Sequence, residues 1–342
     1  RNITTGLAYG FGVWGGSYNT TIINYWGEQQ RHTVTIGDND GVNLFTKVMG
    51  SHADQARNSG FDSHSASMFT EFIGNTVVMP AVTESAEGIT MQGAHAKVIG
   101  CTVRNTPGLG IYYQPYVPVE DTFLASGNHV HFRVGASPVT GVGVYAYLDP
   151  TSGTSTIAGV TITDNHFYGN TGTAGYHVYV NNEKTSGVIR KVTVTGNKSI
   201  DPALTYAAFI RSNGTSTEVR KVTLSHNHFA SDGTRAVFLL ASETSSLIDT
   251  AIVTANTLDG GSTANIGIEA TGGGSSIATV TEDNNTFVNG GKLYNLSGTT
   301  TGLKLKSARH ETAVTITNAT YTLTPLQDTI IANRAGTVTI TL

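Results

Sequence analysis

Eight residues, V-T-I-T-D-N-H-F at positions 160–167, constrain this chain more than any other stretch, because near copies of them keep returning. V-T-V-T-G-N starts at Val192, V-T-L-S-H-N-H-F at Val222, A-I-V-T-A-N-T-L at Ala251 and V-T-E-D-N-N-T-F at Val280. Looser copies start upstream at Thr70, Ala96 and Phe123. With the polar turn residue as reference, the series reads Asn75, Cys101, Asn128, Asn165, Asn197, Asn227, Asn256 and Asn285, a mean step of 30 residues. Two positions later stands Val77, Val103, Val130, Phe167, Ser199, Phe229, Leu258 or Phe287, apolar in every copy but Ser199.

A short strand, a polar turn and an apolar residue repeated at this period are the signature of stacked coils. Val160, Thr161, Ile162 and Thr163 alternate with the period of 2 that a strand requires. A helical repeat would need Ala, Leu, Glu and Lys at 3.6 spacing, and these segments lack it. Stacked coils bring equivalent residues within about 4.8 Å of one another, the ordinary strand separation. An Asn in the same turn of successive coils then bonds along the axis, as Asn ladders do in cross-β stacks. The expected fold is all-β, a parallel β-helix.

A second repeated strand precedes each polar turn. Its copies start at Phe61, Ile89, Ile111, Val144, His177, Phe209, Phe238 and Ile268, with a further one near Leu293. Gly60, Gly88, Gly110 and Gly143 stand just before the first four. Alternation turns Phe61, Ile89, Ile111 and Val144 inward. Asp62, Thr90, Tyr112 and Tyr145 then face outward, with His64, Gln92, Gln114 and Tyr147 two residues further on. The long step from Asn128 to Asn165, rich in Pro and Gly around Pro138 and Pro150, marks a loop thrown out of the body. Residues 42–61 read as a turn or one helical turn inside a loop. After residue 307 the period breaks into short alternating strands, so the expected organisation is a β-helix over 1–307 and a short β module over 308–342. The chain starts on Arg1 and ends on a strand-like run at Leu342, which reads as a piece of a longer protein with flanking domains missing.

A formal net charge of −4 argues against a nucleic-acid partner. No apolar run approaches the ~20 residues of a membrane helix, so no membrane partner is expected. Cys101 is the only cysteine and occupies an Asn-type turn position, which makes it a buried structural thiol.

The outward columns combine aromatic faces with amide and carboxylate tips. That is the equipment for holding sugar rings, whose C–H faces stack on Tyr while hydroxyls pair with polar tips. Gln92, Tyr112, Gln114, Tyr145 and Tyr147 are the expected binding residues. Arg31 and His32 lie about one coil before His64, so His32 and His64 become neighbours with Asp62 beside them, and His52 and Asp54 fall on the intervening loop. Asp next to His holds its tautomer, and Arg neutralises a sugar carboxylate. That combination allows proton abstraction next to a carboxylate, the chemistry of a polysaccharide lyase, with a Tyr as acid. Hydrolysis needs two carboxyl groups instead, and Asp62, Glu84, Glu87, Glu120, Asp121 and Asp149 are candidates. Asp62, His64, His32 and Glu87 are the catalytic candidates, and Arg31 is a binding candidate. Asp38, Asn39 and Asp40 lack the downstream Glu of a calcium loop, and His129 and His131 lack a third ligand. No metal and no cofactor is expected.

With these residues in view, the chain resembles right-handed, single-stranded β-helix proteins of the pectate-lyase-like superfamily, and especially bacteriophage tailspikes and tail fibres. Arg31 and His32 followed by F-D-S-H from Phe61 resemble an R-H … F-D-T-H pattern of phage β-helix tail proteins, with Ser63 in place of Thr. The segment from Tyr321 is similar to a short β module near the C-termini of phage tail proteins. The resemblance implies a homotrimer on the virion tail, joined to other tail or baseplate proteins through missing segments. It also implies a partner, a bacterial surface polysaccharide (capsule or O-antigen), which the protein binds and cleaves as a depolymerase. A non-catalytic receptor-binding fibre and a free-standing bacterial polysaccharide lyase or epimerase are the rival readings. The pectate-lyase calcium and Arg signature is absent from the sequence, so that mechanism is not implied.

Overall fold

In the computed structural model, residues 9–37, 41–80, 87–116, 118–133, 141–169, 175–203, 205–260, 264–289, 294–298 and 303–307 are described, together with the strand Asn2–Ile3 and four strands between 313 and 341. No helix occurs among them. Three long sheets run along the axis, two of 13 strands and one of 11, and each coil lends one strand to each sheet. One coil shows the pattern. Val142–Leu148 lies in what we call the front sheet, Thr156–Thr163 in the middle sheet and His166–Tyr168 in the rear sheet, before Tyr176–Asn182 returns to the front. Pairing between successive coils is parallel, as in Val160↔Val192 and Val192↔Val222. The chain is a parallel β-helix.

Like stacks on like in the interior. Val160, Val192, Val222, Ala251 and Val280 form one continuous column, each member fully buried. Ile162, Phe167, Val178 and Val180 fill neighbouring columns. A buried Val or Ile is worth about 1.5–3 kcal/mol, so repetition of this modest column makes the body stable.

The polar turn lies between the middle and rear sheets and closes each coil onto the next. Asn165 Nδ2 donates to Asn197 Oδ1 at 2.9 Å, Asn197 to Asn227 at 3.0 Å, Asn227 to Asn256 at 2.9 Å and Asn256 to Asn285 at 2.8 Å. The same Oδ1 atoms accept the backbone N–H of the coil before, as from Asn165 N to Asn197 at 3.1 Å. The residue ahead of each Asn takes left-handed φ, at Gly74, Gly127, Asp164, Gly196, His226 and Ala255 among others. Cys101 stands in the column fully buried; its N–H reaches Asn128 Oδ1 at 2.8 Å and burial pushes its thiol up to about 12.

The front-strand glycines serve a close approach. A Cβ on Gly60, Gly88, Gly110 or Gly143 would come within 2.4–2.6 Å of Val77, Val103, Val130 or Phe167. These are the apolar residues that follow the polar turns, so the two sequence repeats meet inside the coil.

Two expectations need correction. Residues 42–61 are not a loop with a helical turn but a full coil, with strands Asn43–Leu44, Lys47–Met49, His52–Asp54 and Ser59–Ser63. Its apolar periodicity is weak, yet Val48 and Ala53 face the core. The later front strands are shifted by one or two residues, because the inward column continues from Val144 through Val178, Ala208, Val237 and Ile266. Phe209 and Phe238 therefore point outward. The long loop around Pro138 lies outside the described residues, while the turn after it is tied down by Asp149 Oδ1, which accepts Thr151 N–H at 2.6 Å. Beyond residue 307, Thr329–Ala332 and Val338–Thr341 pair antiparallel with the last coil.

Candidate functional site

The outer face of the front sheet carries the candidate site. The register Thr35↔Asp62↔Thr90↔Tyr112↔Tyr145↔Tyr179↔Phe209↔Phe238 makes one column along the axis. Beside it runs His64, Gln92, Gln114, Tyr147, Asn181 and Arg211, in the same outward phase two residues on. The stripe expected from alternation is therefore one surface, and its chemistry changes from carboxylate and imidazole to aromatic along the helix.

At its upstream end Asp62 sits between two imidazoles. Its Oδ2 is 2.8 Å from His64 Nε2 and 3.4 Å from His32 Nδ1. Asp62 is only 2% exposed and His32 3%, whereas the His64 side chain is 37% exposed. Outward orientation thus did not bring the Asp62 carboxylate to the surface, because the two rings cover it. His32 is clamped further by stacking on Tyr9 at 5.2 Å and by Asn58 Nδ2 at 3.4 Å from its Nε2. Burial holds the His32 pKa below its ordinary value, an effect that the Asp62 charge offsets in part. Arg31 is drawn over the Tyr9 ring, with Cζ 5.5 Å from the centroid.

Glu87 stands on the next coil, in register with Ser59. It accepts hydrogen bonds from Thr90 Oγ1 at 2.5 Å and Ser59 Oγ at 3.5 Å. Burial raises its pKa and the Asp62 charge adds to that, while the two hydroxyls pull the other way. A carboxyl group whose pKa burial has raised is suited to the part of a general acid.

Downstream the wall is aromatic. Tyr112 and Tyr145 are 5.5 Å apart, Tyr145 and Tyr179 stack at 4.6 Å, Tyr179 and Phe209 at 4.8 Å, and Phe209 and Phe238 at 5.1 Å. Arg235 Cζ lies 4.2 Å over the Phe238 ring. Tyr112 donates to Gln114 Oε1, which leaves Gln114 largely buried. Tyr147 donates to Glu183, which also accepts from Asn181 Nδ2 at 3.0 Å and Asn213 Nδ2 at 2.9 Å. Burial alone would raise the Glu183 pKa, but these bonds and nearby Arg211 hold it below the usual range. Burial keeps Tyr112, Tyr145 and Tyr147 protonated far above the usual phenol range.

Of the expected residues, Asp62, His64, His32 and Glu87 come together, Arg31 borders them, and Gln92, Tyr112, Gln114, Tyr145 and Tyr147 continue the wall. His52 and Asp54 do not join them: they lie on the rear sheet, where His52 stacks on Trp26 at 4.2 Å. Asp121 is fully buried and caps a turn, accepting His95 N–H and the Tyr113 hydroxyl at 2.5 Å. Glu120 pairs with Arg190 at 2.8 Å. Glu84 and the segment 38–40 lie outside the described residues. His129 and His131 both touch Tyr168, and no group of three metal-ligand side chains forms among the described residues. Sequence reasoning missed Tyr179, Phe209, Phe238, Asn181 and Glu183. The signal for Phe209 and Phe238 was the inward series of Val and Ala one residue earlier. Comparison with family models, curated proteins and solved structures finds no match.

Proposed function

We propose that this protein is a tailspike-type depolymerase that lays a bacterial surface polysaccharide along the front sheet and cleaves it at His64. One observation carries the reading: a buried carboxylate, Asp62, 2.8 Å from the partly exposed imidazole of His64, at the head of an aromatic wall. Asp62 is too covered to touch a sugar, so its role is to position His64. Accepting Nε2–H fixes the tautomer with its basic lone pair on Nδ1. That base suits β-elimination from a uronate-containing chain. The proton next to the sugar carboxylate passes to His64, the C–O bond to the leaving sugar breaks, a C=C bond forms, and the leaving oxygen takes a proton from Glu87. Arg31 neutralises the sugar carboxylate, and Gln92, Tyr112, Gln114, Tyr145 and Tyr147 hold the rings on either side.

Hydrolysis with Glu87 as general acid is the rival chemistry, favoured by the raised pKa of Glu87, while the burial of Asp62 counts against it as the second carboxylate. A non-catalytic fibre is the rival function, favoured by the burial of Asp62 and His32, which suits a structural clamp. Incubation with capsular and O-antigen polysaccharides, followed by mass analysis, separates all three. Unsaturated ends support elimination, water-added ends support hydrolysis, and binding without products supports the fibre. The same reading places a homotrimer on a phage tail, docked to other tail or baseplate proteins; sedimentation as a monomer would speak against that assembly.

A further inference from the structure

A second surface, around the corner from the front sheet on the same coils, has features that neither the fold nor the cleavage reading requires. In the first four coils, where the front strand turns into the middle sheet, one residue takes left-handed φ, and the first of the series is Asn19, a residue type that tolerates it. The next three are Phe45 (φ 55), Phe69 (φ 57) and His95 (φ 56). Bulky side chains at such positions are strained, and strain of this kind gathers at ligand-binding sites. Phe45 and Phe69 are also 40% and 38% exposed, so the strain is not repaid by burial.

The three rings stack into a flat strip. Phe45 and Phe69 lie 4.8 Å apart at 12°, and Phe69 and His95 4.7 Å apart at 16°. Facing it on the middle sheet is the register Lys47↔Glu71↔Lys97, with the Lys nitrogens 3.1 and 2.8 Å from the Glu71 carboxylate. Two ammonium groups share one carboxylate, and the nearby Asp121 carboxylate, 3.9 Å from His95 Nδ1, is fully buried, so the exposed charge beside the rings is net positive. Between strip and charges is a groove of about 330 Å³, lined by these six residues and Thr122. A peptide strand would need an open sheet edge for its backbone, and these strands are already paired on both sides. Only side-chain tips and ring faces are on offer, which suits a sugar ring carrying a carboxylate.

We propose that this groove is an anionic-sugar subsite. It stacks one acidic sugar on Phe45, Phe69 and His95, with the carboxylate held by Lys47 and Lys97. It lies on the coil that carries His64, five residues before Phe69, so a chain held here is delivered to the front sheet. The proposal needs acidic-sugar binding only, and stands whether or not His64 cleaves.

Ligand-observed NMR titration of the whole chain with glucuronate, galacturonate and N-acetylneuraminate, with glucose as the uncharged counterpart, tests it. Phe69→Asn removes the ring but installs the residue that the same turn already uses at Asn19, so folding is not put at risk. The expected results are binding of an acidic sugar over glucose, at least fivefold weaker binding in Phe69→Asn, loss of the acid preference in the Lys47→Gln/Lys97→Gln double variant, and no change in Tyr168→Ala on the rear sheet. Absence of acidic-sugar binding, equal binding by Phe69→Asn and the parent, or loss through Tyr168→Ala alone overturns the proposal. Loss of cleavage in His64→Ala with this binding intact would leave the two sites separately established.

Discussion

The Asn turn and the outer face of the front sheet are both columns built by the same winding, yet they behave oppositely along the axis. From Asn128 to Asn285 the turn keeps one residue type through six coils, because each amide needs its neighbour's oxygen and backbone. The outer column changes character along the axis, from Thr35, Asp62 and Thr90 to Tyr112, Tyr145 and Tyr179 and then to Phe209 and Phe238. Winding constrains the first and leaves the second open. Where repetition is required, sequence reports fold; where repetition is not required but large or ionisable side chains appear, it reports a working surface.

The largest expected effect tests that division on the outer face. His64→Ala should lower polysaccharide turnover by about 10³-fold, near 4 kcal/mol of transition-state stabilisation, with the melting temperature unchanged. In the parent, turnover should fall as pH rises through the raised pKa of Glu87, because the acid form is then lost. The same sign applies to stability: what the protonated Glu87 contributes is complete at low pH and lost as pH climbs past that value. Glu87→Gln should abolish the alkaline limb, and a pH–rate profile reads both.

Within the turn column, Asn227→Ala should cost about 2–4 kcal/mol in denaturant unfolding and leave sugar binding intact. It strips the acceptor from Asn197 N–H and the donor from Val194 O, both buried. Phe209→Thr, on the outer aromatic ladder, should cost about 1–2 kcal/mol, since it removes two ring stacks but exposes no core. The smallest effect should be a gain. Cys101→Asn completes the amide ladder between Asn75 and Asn128 and should stabilise by about 1 kcal/mol, seen as a higher unfolding midpoint.

Much of the fold could be read before any coordinates. The 30-residue recurrence and the identity of the turn residue give coil length and phase, and Asn165, Asn197 and Asn227 do stack in one column. The register of the later front strands could not be read so well, because Phe209 and Phe238 look like core residues. Their burial comes from each other on the outside, with Phe238 still only 4% exposed. Asp62 was legible as outward-facing but not as covered, because its cover comes partly from His32 on the preceding coil. The Phe45, Phe69 and His95 strip was illegible for a related reason. Its members share no apolar period with the repeat, and only three-dimensional stacking makes them one feature.

The most direct test of the working-surface claim compares two tyrosines on different outer faces. Tyr145 stacks on the front sheet and Tyr168 stacks with His131 on the rear sheet. The affinity of Tyr145→Ala and Tyr168→Ala should be measured side by side with the parent against a panel of capsular and O-antigen polysaccharides. The account predicts about tenfold weaker binding for Tyr145→Ala, near 1.4 kcal/mol, and parental affinity for Tyr168→Ala. Equal affinities, or loss confined to Tyr168→Ala, would contradict it.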